Sequence, residues 1–287
     1  MRSTRGGGSL KAPTFTLAEG TTCVAMSKSY RKAAFTLAEV LVTLGIIGVV
    51  AAMTMPVLIA NHQKNVTVTR LERTYNTFAN ALVRAQVDYG DPSNWDYEGV
   101  GIELDGSEDS KNSAYNSVES CVRKYIIPYL AGGYTFENKR DKTAKDLGYK
   151  SPILYRSGNM GLALTSKLPV LMLNDGTWVF LSYMDFGGNT DADGNVVPKR
   201  SYGLRLLVDI NGPKPPNVFG KDAYIMCMYF AKNSRLGFLQ KVSFRPSENL
   251  VIFQDITRDE LLNNCETQGS YCGALIQSDG WQIKYKY

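Results

Sequence analysis

The hydrophobic rhythm of the chain changes twice. From Val40 to Ile59 runs VLVTLGIIGVVAAMTMPVLI, twenty uncharged residues interrupted only by two threonines. No Asp, Glu, Lys or Arg occurs between Glu39 and Lys64. At about 1.5 Å per residue, twenty helical residues span the roughly 30 Å hydrocarbon layer of a bilayer. The pattern then becomes amphipathic: Leu71, Tyr75, Phe78, Leu82 and Ala85 recur at intervals of four and three, with Lys64, Arg70, Glu72, Arg73 and Arg84 between them. That spacing predicts one apolar stripe on a helix. Gly90-Asp91-Pro92 should end it. A continuous helix from Thr36 to Tyr89 would be about 80 Å long, and Pro56, which removes one backbone hydrogen bond, should bend it.

Beyond residue 90 the rhythm shortens. Residues 91–112 are acidic and rich in Gly and Ser, and read as a solvated loop; the carboxylate pair Glu103 and Asp105 belongs to it. A second helix is expected from about Ser113 to Ile127, with Val118, Cys121, Val122 and Tyr125 inward and Pro128 closing it. Residues 137–150 are charged and read as surface. Val170–Leu173 and Thr177–Tyr183 flank Asn174-Asp175-Gly176, a hairpin signal. Tyr202–Ile210 and Tyr224–Phe230 read as further strands, and Ile283–Tyr287 as a closing one. Thr257-Arg258-Asp259-Glu260 is a capping box opening a short helix. The order predicts an α+β fold, a long N-terminal helix packed on a C-terminal antiparallel sheet.

Charge sharpens this picture only when divided. Residues 1–34 carry six basic groups (Arg2, Arg5, Lys11, Lys28, Arg31, Lys32) and one acid, Glu19. The remaining 26 basic and 26 acidic groups, from totals of 32 and 27, balance over residues 35–287. The surplus of +5 therefore belongs to residues 1–34 and argues for no nucleic-acid surface. Lys28, Arg31 and Lys32 just before the apolar run predict a cytoplasmic N-terminus and an exported bulk. A secretory signal cut near Ala51 and Ala52, or a plain anchor for an exported enzyme, would share this pattern. Glu39 distinguishes the readings, since a carboxylate at the edge of a membrane span is costly without a partner.

The segment Lys32-Ala33-Ala34-Phe35-Thr36-Leu37-Ala38-Glu39-Val40 resembles the processing motif of type IV pilins and type II secretion pseudopilins. The resemblance covers roughly residues 28–90. It implies cleavage between Ala34 and Phe35 by a prepilin peptidase and N-methylation of Phe35. Glu39, fifth in the mature chain, is then the residue that meets the new amino terminus of a neighbour in the filament. Pro56 falls at the twenty-second mature position, where pilin helices often carry a proline. The departure is Ala34, where the family usually has glycine; alanine is the smallest substitute. The implied product is a non-enzymatic subunit of a homo- or hetero-oligomeric filament, held in the bacterial inner membrane with its assembly machinery. The implied division is a leader over 1–34, a transmembrane half-helix over 35–60, an amphipathic half over 61–90, and an extracytoplasmic α+β domain over 91–287. Phe15-Thr16-Leu17-Ala18-Glu19 repeats Phe35–Glu39 but precedes the polar GTTCVAMSKSY, which cannot enter a bilayer. Initiation at Met26 would leave a nine-residue leader, MSKSYRKAA, of the family's usual kind.

Cys121, Cys227, Cys265 and Cys272 remain after such processing. An even number in an exported domain suggests disulfides. Cys265 and Cys272, seven apart around a short Gly/Ser turn, are the favoured pair, and many pilins close a C-terminal loop this way. Cys121–Cys227 would be the other, with free buried thiols and a zinc site as alternatives. Zinc lacks CxxC spacing here, and one histidine, His62, excludes a multi-histidine centre within the chain. Some pseudopilins bind calcium late in the chain, and Asp209, Asn211, Asn217 and Asp222 offer oxygen ligands in a comparable region. Asp191, Asp193 and Asn195 offer a weaker set. Neither completes a twelve-residue calcium loop. Phosphate-loop, nucleophile-elbow and zinc-protease motifs are absent from the sequence. The basic run Lys139, Arg140, Lys142 and Lys145 is broken by Asp141 and Asp146, so no nucleic-acid partner is expected, although a DNA- or surface-binding minor pilin is a rival to the purely structural reading. Trp95, Trp178 and Trp281 read as core and surface anchors.

Overall fold

The computed structural model describes residues 36–95, 105, 107–137, 142–186, 200–232, 235–245 and 250–287. The chain divides into two units, Met1–Met53 and Thr54–Tyr287. Helix α1, Leu37–Tyr89, is assigned without interruption through both and through Pro56. In the first unit its described side chains are almost all exposed, Leu41, Ile46, Ile47 and Val50 among them.

The second unit is α+β. Here α1 buries Val68, Leu71, Phe78, Ala81, Leu82 and Ala85, so the predicted stripe is the packed face. Each large side chain so buried contributes about 1.5–3 kcal/mol. Gly90, at φ +76°, takes the left-handed position that ends the helix, and its N–H returns to the Gln86 carbonyl. Helix α2, Glu108–Cys121, starts five residues before the expected Ser113. Ser107 caps it, accepting from Ser110 N–H at 3.1 Å, and Glu108 and Asp109 stabilise the positive helix end. It continues as a π turn over Val122–Ile126 and a 3-10 turn over Ile127–Tyr129, because Pro128 has no N–H to sustain α geometry. Val118, Cys121, Val122 and Tyr125 do point inward.

Among the described residues ten strands follow: β1 Tyr134–Glu137, β2 Ile153–Leu154, β3 Met160–Leu162, β4 Val170–Leu173, β5 Trp178–Phe186, β6 Arg200–Asp209, β7 Ala223–Tyr229, β8 Gly237–Phe238, β9 Val242–Arg245 and β10 Leu250–Phe253. Six form one antiparallel sheet in the order β1-β4-β5-β6-β7-β8; β2-β3 and β9-β10 are small hairpins. The Asn174-Asp175-Gly176 turn joins β4 to β5 with Leu171 opposite Val179, and Gly176 at φ +86° explains the glycine there. Helices α3, Arg258–Thr267, and α4, Cys272–Ser278, follow the strands, and both halves of the Thr257–Glu260 capping box are formed.

Strand alternation makes two cores. Val179, Leu181, Leu206, Val208, Met226 and Met228 pack with α1, α2 and the C-terminal helices. Val170, Phe180, Leu207, Ile225, Cys227 and Tyr229 form the second, under the loops that follow β1, with Ala144 and Tyr149 buried despite the charged composition of residues 137–150.

The C-terminal segment corrects one expectation, for Ile283–Tyr287 is not a strand. Its tyrosines dock through their hydroxyls instead of a backbone ladder. Tyr285 donates to the Gly220 carbonyl at 2.8 Å, and Tyr287 donates to that of Lys221 at 3.1 Å while lying 2.8 Å from Thr67 Oγ1.

Candidate functional site

The first candidate is the start of α1. Thr36 and Glu39 form a reciprocal cap. Thr36 N–H and Oγ1–H both donate to Glu39 Oε2 at 2.8 Å, and Glu39 N–H donates to Thr36 Oγ1 at 3.2 Å. Thr36 thus caps the helix beside Glu39, and Thr-x-x-Glu is itself a capping signature. Thr43, inside the apolar run, costs little, since its Oγ1 returns its hydrogen bond to the Val40 carbonyl at 3.0 Å. Among the described residues, Leu37–Tyr89 is the one helix long and apolar enough to cross a membrane. Ala34 and Phe35, the expected cleavage pair, lie outside the described residues.

The four described cysteines separate into a bond and two thiols. Cys265 and Cys272 form a disulfide joining α3 to α4, with Cα atoms 4.5 Å apart. Gly269, between them at φ +84°, must be glycine: a Cβ there would stand 2.4 Å from the Phe219 carbonyl oxygen. The expected Cys121–Cys227 pair is corrected, because both are free and buried. Cys121 lies in the core beneath the helices and Cys227 in the core on the other sheet face. Burial pushes both thiols well up, to about 12 for Cys227, so they are inert rather than nucleophilic.

Asp209, Asn211, Asn217 and Asp222 are brought together where the β6–β7 connection closes. Asp209 accepts from Tyr149 O–H at 2.7 Å and from Asn211 N–H at 3.2 Å. Asp222 accepts from Asn217 N–H at 2.8 Å, Val218 N–H at 2.7 Å and Asn211 Nδ2 at 3.3 Å. Asn217 stands at φ +54° and donates Nδ2 to Ser151 Oγ at 2.9 Å. Burial, and then the Asp222 carboxylate, push Asp209 up to about 8, against the hydrogen bond from Tyr149; burial also raises Asp222. Protein donors thus already serve both carboxylates. The buried Oδ1 atoms of Asn211 and Asn217 have no hydrogen-bond partner. Carboxylate and carboxamide oxygens are donors of the kind a hard cation takes, while no group of three or more Asp, Glu, His or Cys side chains placed to hold a metal occurs among the described residues. Asp191, Asp193 and Asn195 lie outside the described residues.

Other expected features prove structural. Trp95 is buried, donates Nε1–H to the Gly90 carbonyl at 2.9 Å and stacks on Tyr125. Trp281 packs on Tyr75, and Trp178 on Tyr149. Asp105 holds a turn by accepting Ser107 N–H at 2.8 Å; Glu103 lies outside the described residues. In the basic run, Lys142 pairs with Glu137 at 2.9 Å, while Lys139 and Arg140 lie outside the described residues.

Residues 57–160 match a family of unknown function (DUF6613), which assigns no chemistry. No curated protein and no solved structure matches the chain. Residues 29–55 match the prokaryotic N-terminal methylation motif, so the capped start of α1 and the apolar run behind it carry the signature of the type IV pilins and pseudopilins.

Proposed function

We propose that this chain is a structural, non-enzymatic subunit of a pilin-like filament. A prepilin peptidase cuts between Ala34 and Phe35, and Phe35 is then N-methylated. Residues 35–60 lie in the bacterial inner membrane with the leader cytoplasmic, residues 61–90 continue as the amphipathic half-helix, and residues 91–287 form an extracytoplasmic domain. Inner-membrane machinery draws the subunit into a type IV pilus or a type II secretion pseudopilus, where Glu39 faces the Phe35 amine of a neighbouring subunit. One observation carries the reading: the methylation motif over residues 29–55 coincides with the start of an exposed apolar helix. In low dielectric an amine–carboxylate pair is favoured over two isolated charges and sets register. Cell fractionation tests it. The subunit should co-purify with sheared surface filaments, or with a periplasmic assembly pulled from the membrane. Recovery as a soluble monomer with catalytic turnover would favour an exported enzyme.

A second reading concerns the Asp209–Asp222 cluster, where the two orphaned carboxamide oxygens support calcium bound by Asp209, Asn211, Asn217 and Asp222. The cation would neutralise the paired carboxylates and lock the β6–β7 connection. Calcium should raise the melting temperature of the wild type and not that of an Asp222→Asn variant.

A further inference from the structure

Independently of the filament reading, the far face of the sheet carries a cationic cavity. On β6, Leu204 and Leu206 point into the helix-covered core, so alternation sends Arg205 to the opposite face, between Ser182 and Cys227 in register. Arg205 is half-buried there, an expensive place for a guanidinium without a counter-charge. Among the described residues its side chain makes one long hydrogen bond, Nη2 to Ser182 Oγ at 3.5 Å, and no ion pair. It lines a cavity of about 600 Å³, within the usual size range for small-ligand sites. Tyr115, Tyr155, Ser166 and Lys167 are among its other polar lining residues, with Asn112 and Thr165. Lys111 and Glu108, also in its lining, neutralise each other at 3.3 Å, which leaves Arg205 and Lys167 as the lining's remaining charges, Lys167 within electrostatic reach of Asp146 outside it.

We propose that this cavity binds a carboxylate carried on a hydroxylated ring, the chemistry of a uronic acid. The planar guanidinium fork matches a carboxylate through two parallel hydrogen bonds. Tyrosines offer a flat apolar face and a polar tip to a sugar ring, and the Ser166 and Ser182 hydroxyls can exchange hydrogen bonds with ring hydroxyls. A neutral sugar would leave the guanidinium unpaired, and a bare small acid would leave most of the cavity unfilled.

The test is calorimetric titration of the full chain in detergent micelles with D-galacturonate, D-galactose and acetate. Galacturonate should saturate, and galactose and acetate should bind at least about tenfold more weakly, as expected for loss of a charge-assisted contact or of the ring contacts. Arg205→Gln should weaken galacturonate by about tenfold or more, and Arg205→Lys, which keeps charge but not the fork, should fall between. Melting curves identify any variant that fails to fold; Lys167→Gln, at the rim, then supplies the loss of affinity expected. The proposal is overturned if galacturonate fails to saturate up to about 10 mM, if galactose or acetate binds as well, or if folded Arg205→Gln binds like the wild type.

Discussion

Glu39 caps its own helix with one carboxylate oxygen. Oε2 takes both donors of Thr36, at 2.8 Å each, while Oε1 makes no hydrogen bond or ion pair among the described residues. The pair therefore satisfies two orphan backbone donors of the helix start, Thr36 N–H through the carboxylate and Glu39 N–H through the Thr36 hydroxyl, and leaves the second carboxylate oxygen without a hydrogen bond. In the proposed filament the second oxygen would meet a neighbour's amine without uncapping the helix. Three substitutions separate these roles. Glu39→Ala removes both, and Glu39→Gln keeps an amide oxygen for the cap but no charge. Thr36→Ala weakens the cap and leaves the charge. Filament yield, read by immunoblot of sheared material, should collapse for both Glu39 variants and survive in Thr36→Ala. Normal assembly of Glu39→Gln would refute the charge-pairing role.

The disulfide should matter despite the short loop it closes. Chain-entropy arguments give about 2.5 kcal/mol for cross-linking residues seven apart, so the Cys265→Ala/Cys272→Ala double variant should melt several degrees lower. Thiol titration of the mature chain provides a count. Native protein should react little, because Cys121 and Cys227 are buried, and denatured unreduced protein should show two thiols. Three or more would contradict this arrangement.

Tyr149 and Asp209 set a pH dependence. Asp209 titrates near 8 in the folded chain, against about 4 for an unfolded aspartate. The folded state therefore holds the extra proton. This contribution to stability is fully present below about pH 4 and is lost as the pH rises through about 8. In chelator, the melting temperature should carry a component that falls over that window, and Asp209→Asn should flatten it. Calcium added at pH 8 should oppose the fall if the cluster takes a cation. A wild-type profile unchanged by Asp209→Asn would remove the assignment.

Arg156 ties the C-terminal segment to the loop before β7. Nη1 donates to the Lys286 carbonyl at 2.8 Å and Nη2 to that of Gly220 at 3.1 Å, with the guanidinium over the Tyr285 ring. Arg156→Ala should cost about 1–3 kcal/mol in denaturant unfolding, and Arg156→Lys should not restore it, since a point charge cannot span both carbonyls. Faster hydrogen exchange at residues 283–287 in Arg156→Ala would localise the effect; unchanged exchange would contradict the tie.

Local signals were legible in the sequence, and long-range ones were not. The stripe from Leu71 to Ala85, the Asn174–Gly176 turn and the Thr257 capping box each depend on residues within one element, and each is formed. The start of α2 was misjudged because Ser107 and two acids define it ahead of any apolar period. Cys121 and Cys227 could not be assigned from spacing, since the sheet face that Cys227 takes follows from strand register. Ile283–Tyr287 alternates like a strand, yet its partners are carbonyls of the loop before β7, which periodicity cannot reveal. The four Asx residues near 209–222 were legible as a group, but Tyr149 and Ser151, which hold them, come from 60 or more residues away.

The most direct test of the central claim is intact-mass and N-terminal analysis of the chain recovered from membranes of its producing cells. The account predicts a mature protein that begins at N-methylated Phe35. A chain that keeps its leader, or one trimmed near Met53 with no added methyl group, would contradict it.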